Sequence, residues 1–372
     1  MHRINGLDVA QKTELIVGDG PYTYSDMLGM ALRTITHRAE GFSNWRVIDG
    51  VRFNTATFRT GPNQYLASID PLVVHRIEVL RGPSSVLFGS GAMGGGLHVV
   101  TKNPDVRRRT SGSAGGRLTS ADLGRTGWLQ LRQRHGVLGF VAGGSAAGFS
   151  TLRSGGGRRW PLSGYQRGAW HAKAVLGKPH APGRLTAAYF GSMLRNVGRT
   201  DQLGRGDVRT YDNDDHLGYM ALRFRGNGVL RQVDTNVSFH RLVEVVERST
   251  CGTGAGVVID LRACARLSSS AVQQRRRNYD AVNALGFESS AQLAFLDDLL
   301  RVGIGGEAYR DSVTSRASQA EATSPWEPRS RGQFSDGSTY RTLGLFVHAN
   351  GQLLDFKNFG KLRVSAGGRL SN

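Results

Sequence analysis

Nowhere in its 372 residues does the chain run eighteen apolar residues together, which excludes a transmembrane helix. That absence leaves a barrel open, because barrel strands alternate and hide their apolar face from a hydropathy window. Cysteine is almost missing: Cys251 and Cys264 are the only two, and with no histidines near them they supply too few ligands for a metal site. Proline is sparse at 10 residues, so the 51 glycines mark neither a collagen-like nor a plainly disordered chain. The Gly-rich stretch 89–96 is followed by no Lys-Ser/Thr pair and no clear helix, so it is not a phosphate loop. No Ser/His/Asp set or paired carboxylates stand out, so no catalytic residue is assigned and the chain does not read as an enzyme. Met1-His2-Arg3-Ile4 leads on without an apolar h-region, so no signal peptide is visible.

Charge is plentiful and lopsided. The net charge is +19, yet residues 1–105 carry 10 Lys/Arg against 9 Asp/Glu, leaving a net of +18 in the remainder. Only 6 of the 48 basic residues are lysine. So strong an arginine bias fits a GC-rich coding sequence as well as selection for phosphate contacts. The basic residues are also dispersed rather than gathered in one stripe, so no nucleic-acid partner is assigned. A soluble, basic, β-rich module binding nucleic acid or another polyanion stays as the alternative reading.

What is present centres on Val74–Lys102, VHRIEVLRGPSSVLFGSGAMGGGLHVVTK. Two β-rich pieces, Arg76–Leu80 and Leu97–Thr101, flank a loop dense in glycine and serine. Such density costs conformational entropy and marks backbone that must approach something closely. Ile77-Glu78-Val79-Leu80-Arg81-Gly82-Pro83, the run from Ser85 to Gly95 through Gly89 and Gly94, and Val99-Val100-Thr101-Lys102 resemble the plug domain of TonB-dependent outer-membrane receptors. Val47-Ile48-Asp49-Gly50-Val51-Arg52 and Ile69-Asp70-Pro71 fit the same pattern. The plug features are Arg76, Glu78, Arg81, Gly82, Pro83, Gly89, Gly94 and Gly95.

The expected fold is mainly β: a small α+β plug over residues 1–105, then an incomplete antiparallel transmembrane barrel over 106–372. Within the first part, Thr23–Ile35 has helical spacing, Arg46–Val51 and Arg76–Leu80 read as strands, and Asn54–Tyr65 reads as a loop. Beyond residue 110, two-residue alternation repeats. Trp170, Ala172, Ala174 and Leu176 share one face, with His171 and Lys173 on the other. Met220, Leu222 and Phe224 oppose Tyr219 and Arg223; Val237 and Phe239 oppose Ser238 and His240; Leu343, Leu345 and Val347 oppose His348; Leu362, Val364 and Leu370 oppose Arg363 and Arg369. About eleven such strands are expected, against about 22 in a plugged transporter barrel. Short turns fall at His135-Gly136, Pro179–Gly183 and Gly226–Gly228, and long polar loops at 148–167, 194–215, 247–278 and 312–340. A soluble antiparallel sandwich alternates equally well but has no reason to alternate short and long connections. The chain reads as cut at both ends, with most of a plug and the first half of a barrel.

The resemblance implies uptake of a scarce ligand (ferric siderophore, haem or cobalamin) across the outer membrane, with the TonB–ExbB–ExbD complex and outer-membrane lipid as partners and no cofactor. It implies that Arg81 contacts acidic residues on the barrel wall, or else caps local carbonyls. Phe58, Arg59, Asn63, Gln64 and Tyr65 would face the ligand, or form an ordinary solvated loop. Cys251 and Cys264 would staple a long loop, or remain unrelated thiols. His98 lies in the plug strand, and His171, His240 and His348 fall on lumen faces; one of them could ligate haem iron, or all could be merely solvated.

Overall fold

The computed structural model describes residues 3–4, 7–8, 12–16, 45–57, 68–81, 95–104, 110–178, 181–200, 203, 206–251, 272–321, 324–356 and 360–372. Strands β1 (Arg3–Ile4) and β2 (Leu7–Asp8) form a short hairpin. Strands β3 (Lys12–Ile16), β4 (Trp45–Ile48), β5 (Val51–Arg52), β6 (Val74–Arg81) and β7 (Gly95–Thr101) form a five-stranded sheet in the order β3-β6-β7-β4-β5. Only β4 and β7 run parallel. The single strand expected at Arg46–Val51 is instead a hairpin: Asp49 and Gly50 take φ of 51° and 93° and fold β5 back on β4. Gly50 tolerates that backbone because it has no Cβ, and Asp49 turns with it. The helix expected at Thr23–Ile35 lies outside the described residues.

A much larger sheet surrounds one side of this small one. It comprises β8 (Thr110–Leu118), β9 (Arg125–His135), β10 (Leu138–Phe149), β11 (Tyr165–Leu176), β12 (Gly183–Gly198), β13 (Asp207–Arg225), β14 (Leu230–Cys251), β15 (Val272–Phe295), β16 (Leu300–Glu321), β17 (Glu327–Pro328), β18 (Thr339–Phe356) and β19 (Gly360–Ser371). Apart from the two-residue β17, which pairs with β16, each strand is antiparallel to the next in an unbroken meander from β8 to β19. Eleven strands therefore line up in chain order, as the alternation anticipates.

The alternating faces are as expected. Trp170, Leu176, Met220, Leu222, Phe224, Val237, Phe239, Leu343, Leu345, Leu362 and Leu370 are exposed on one side. His171, Lys173, Tyr219, Ser238 and His240 are buried on the other. Their burial has a direct cause: the small sheet packs there. Ile48, Val51, Phe53, Val74, Ile77, Leu97 and Val99 form one core with Leu217, Leu242, Val282 and Val313 of the wall. No described helix is long and apolar enough to cross a membrane.

One further expectation needs correction. The segments read as long loops at 194–215, 247–278 and 312–340 are strand at both of their ends, because β12 to β16 reach 16 to 24 residues. About ten residues suffice to cross a bilayer, so the extra length stands beyond it on the long-loop side. Out there both faces are polar, and no hydropathy contrast announces a strand. A short turn also joins β15 to β16, where Leu296, Asp297 and Asp298 take φ of 52°, 50° and 69° without a glycine.

Candidate functional site

Among the described residues, polar chemistry is concentrated where the small sheet meets the wall, in four clustered links beside a lone bond from Arg184 Nη2 to Asn103 Oδ1 at 3.0 Å. The first is built on the β4–β5 turn. Asp49 Oδ1 accepts the Thr101 N–H at 2.8 Å, and its Oδ2 accepts the Lys173 ammonium at 2.8 Å, the Tyr219 hydroxyl at 2.6 Å and the Thr101 hydroxyl at 2.5 Å. Lys173 also donates to Thr101 Oγ1. Burial alone would raise the Asp49 pKa, but the Lys173 charge and the hydrogen bonds from Lys173 and Thr101 outweigh it. They hold the carboxyl well below the usual carboxylate range.

The second link follows three residues later. Arg52 donates from Nη2 to Asp311 Oδ1 at 2.5 Å, with its guanidinium carbon 3.9 Å from the centre of the Tyr309 ring. The Arg52 N–H reaches the Tyr309 hydroxyl at 3.3 Å, and the Ala56 N–H donates to Asp311 Oδ2 at 2.7 Å. Tyr309 in turn donates to Glu288, which also accepts from Asn236 Nδ2 at 3.1 Å. A guanidinium stacked on an aromatic ring and anchored to a carboxylate uses its planar shape, which a lysine could not reproduce.

The third link surrounds the 3-10 turn Pro71–Val73. Asp70 caps that turn by accepting the Leu72 N–H at 3.1 Å. The same carboxylate takes Arg167 Nη2 at 3.3 Å and Ser145 Oγ at 2.8 Å from the wall. Gln130 donates to the Leu72 carbonyl at 3.1 Å and contacts His171 Nε2 at 3.1 Å. In the fourth link, Ser68 donates to Asp215 Oδ2 at 2.8 Å while His240 Nε2 lies 2.9 Å from Asp215 Oδ1. Phe53 stacks on the His240 ring with centroids 4.9 Å apart.

Between the Asp49 and Arg52 links lies a cavity of about 310 Å³ lined from both sides, by Arg76, His98 and Asn103 of the small sheet and Lys173, Arg223 and Glu288 of the wall. Its walls are charged and hydrogen-bonding rather than apolar. Such a cavity suits water and polar solutes.

The residues singled out from sequence fall in several places. Arg76 and Glu78 come together: Arg76 Nε lies 2.9 Å from Glu78 Oε1, and His98 Nδ1 lies 3.0 Å from Glu78 Oε2. That cluster is internal to the small sheet. The backbones of Arg81 and Gly95 pair across β6 and β7. The Arg81 side chain lies outside the described residues, as do Gly82, Pro83, Gly89, Gly94, Phe58, Arg59, Asn63, Gln64, Tyr65 and Cys264. Cys251, buried at the end of β14, is disulfide-bonded. His171 and His240 are occupied by protein partners rather than facing open space. Sequence reasoning missed Asp49, Arg52, Asp70, Lys173, Asp215 and Asp311 as contact residues. The available signal was charge on lumen-facing positions of strands that are otherwise apolar.

Residues 38–96 match the family described as TonB-dependent Receptor Plug Domain. Over 43 residues, 12% of this chain and 6% of the relative, the chain is 51% identical to the ferric enterobactin receptor PirA of Pseudomonas aeruginosa. Over 56 residues, 15% of this chain and 7% of the relative, it is 48% identical to the ferric aerobactin receptor of Escherichia coli. The fold is similar to that of the copper transporter OprC, with a TM-score of 0.65 and 17% identity over 88% of this chain and 47% of that one. It is also similar to the open form of the ferric-catecholate import receptor Fiu from Escherichia coli, with a TM-score of 0.61 and 16% identity over 90% of this chain and 53% of that one. The chain thus spans about half the length of these solved receptors, and its matched segments cover only 6% and 7% of the two curated relatives. Residues 38–96 thus match a TonB-dependent receptor plug domain, and the strand meander beside it has the fold of these solved receptors.

Proposed function

We propose that the chain serves ligand-gated, energy-coupled uptake of a scarce ligand, a ferric siderophore, haem or cobalamin, and that it is a transporter rather than an enzyme. The observation that carries this reading is the interface itself: a plug held in a wall by four polar links, not by apolar packing alone. Apolar contact is non-directional and would let the plug settle in many ways. Buried carboxylates with placed donors define one docked position, and they can be exchanged for water when the plug is pulled. Residues 1–105 serve as the plug and 106–372 as the first half of the wall. The driving partner is the TonB–ExbB–ExbD complex.

Ligand selection falls to Phe58, Arg59, Asn63, Gln64 and Tyr65 together with the long loops, one of which a Cys251–Cys264 disulfide would staple. The relatives' names (ferric enterobactin receptor, ferric aerobactin receptor) belong to the same ligand class. The arginine excess favours anionic chelates within it. The test is uptake of radiolabelled iron chelates, haem and cobalamin by cells whose only such receptor contains this chain. Energy-dependent uptake of one of them is expected, with anionic chelates preferred. Uptake that persists unchanged without TonB, or for none of the three classes, would sink the proposal. Non-reducing peptide mapping that returned Cys264 as a free thiol would remove the staple.

A further inference from the structure

Arg310 of β16 and Arg341 of β18 stand directly opposite each other. Both are exposed, and their neighbours decide which way they point. Tyr309 and Asp311 are buried against the plug, whereas Leu343 and Leu345 are exposed. Alternation therefore sends both guanidinium groups to the outer face of the wall. Like charges directly opposite on neighbouring strands repel. No ion pair or hydrogen bond joins either arginine to another described residue. The outward positions around them are Leu285, Asn283, Ser312, Thr339 and Leu343, none of them acidic.

The pair sits at a border. Toward the short turns the outward residues of these strands are mostly apolar, and toward the long loops polar residues enter, with Val243 and Val245 still following Arg241 on β14. Phe239 gives way to Arg241 on β14, Leu285 to Asn283 on β15, Ala308 to Arg310 on β16, and Leu343 to Arg341 on β18. Arg241 donates to Asn283 Oδ1 at 2.8 Å, and Arg316 lies exposed and outward further along β16. An outward apolar belt ends where hydrocarbon ends. The arginines stand where lipid headgroups begin.

We propose that Arg310 and Arg341, flanked by Arg241 and Arg316, form a binding site for the phosphate groups of outer-leaflet lipid. A phosphate between the two guanidinium groups would turn their repulsion into two charge-assisted, bidentate contacts. The acyl chains of the same lipid would lie along Phe239, Leu285, Phe287 and Leu343, all exposed. The proposal needs the outer face to meet lipid; it is independent of which ligand the receptor carries.

The test titrates the full chain in mild non-ionic detergent with lipid A bearing both phosphates, with the same lipid after dephosphorylation, and with inorganic phosphate. Each basic residue near a membrane surface contributes attraction worth about a fivefold change in binding. The double variant R310Q/R341Q should therefore bind diphosphorylated lipid A at least about tenfold more weakly than the unaltered chain. The charge-keeping R310K/R341K variant should bind with intermediate strength, because it keeps the charge and loses the bidentate contacts. Dephosphorylated lipid should not distinguish the three proteins, and wild-type binding should weaken as salt rises. Equal binding of diphosphorylated lipid by R310Q/R341Q and the unaltered chain would overturn the proposal. So would inorganic phosphate binding as tightly as the lipid, or binding indifferent to salt, which needs no variant to fold.

Discussion

Replacing Lys173 by methionine removes one charge from a plug–wall contact that five hydrogen bonds define, and the structure says how much should survive. Asp49 would keep the Thr101 N–H, the Thr101 hydroxyl and the Tyr219 hydroxyl, three of its four donors. It would lose the ammonium that lies 2.8 Å away at a site where the Lys173 side chain is 4% exposed. Breaking a buried ion pair by removing one partner costs about 3–5 kcal/mol. Three remaining donors offset part of that, so about 2–3 kcal/mol is expected for K173M. If the link holds the plug docked, a loss of about 2 kcal/mol raises the undocked population about thirtyfold. Limited proteolysis of the full chain in detergent reads that population when docking is fast compared with cleavage. D49N should accelerate cleavage of the plug similarly, and the double variant should fall about 2 kcal/mol short of the sum of the single effects. Additivity within about 0.5 kcal/mol would refute a direct Asp49–Lys173 coupling and the docking role built on it.

The remaining predictions use the same cleavage assay. The depressed Asp49 pKa means its stabilisation is present above the ordinary Asp value of about 4 and is lost as pH falls through the lower native value. Cleavage should therefore stay flat between about pH 8 and 5 and rise only in stronger acid, whereas K173M, left with burial that raises the carboxyl, should rise at a higher pH; coincident profiles would contradict this. R52M leaves the Asp311 carboxylate, whose side chain is 1% exposed, with the Ala56 N–H but no counter-charge, and should cost about 3 kcal/mol, with no change in cleavage counting against the second link. Gly50 has open space where a Cβ would sit but a φ of 93°, so G50A should cost about 1 kcal/mol through backbone strain alone. A neutral G50A would mean the β4–β5 turn relaxes elsewhere.

Which parts were legible beforehand follows from the range over which each signal acts. The wall was readable because a strand shows its two faces every second residue: His171 and Lys173 against Trp170 and Leu176 needed no partner to be sorted. The same rule failed at residues 207–215 and 272–278, where both faces meet polar surroundings and the contrast vanishes. It failed again at Asp297-Asp298, a left-handed turn lacking the glycine that usually announces one. The hairpin was signalled by its Asp49-Gly50 pair, but Val47, Ile48 and Val51, buried on both sides of the turn, read as one continuous strand.

The glycine-rich run from Val74 to Lys102 and its flanking strands marked the plug from local residue order alone, and alternation assigned the lipid-facing and plug-facing sides of the wall. Both are written in neighbouring residues. Which charges would meet was not. Asp49 reaches Lys173 across 124 positions and Arg52 reaches Asp311 across 259, and nothing near either residue encodes its partner. Those pairings arise only when sheet curvature and strand register bring the plug against the wall, and buried charge then persists only where a partner stands within hydrogen-bond reach.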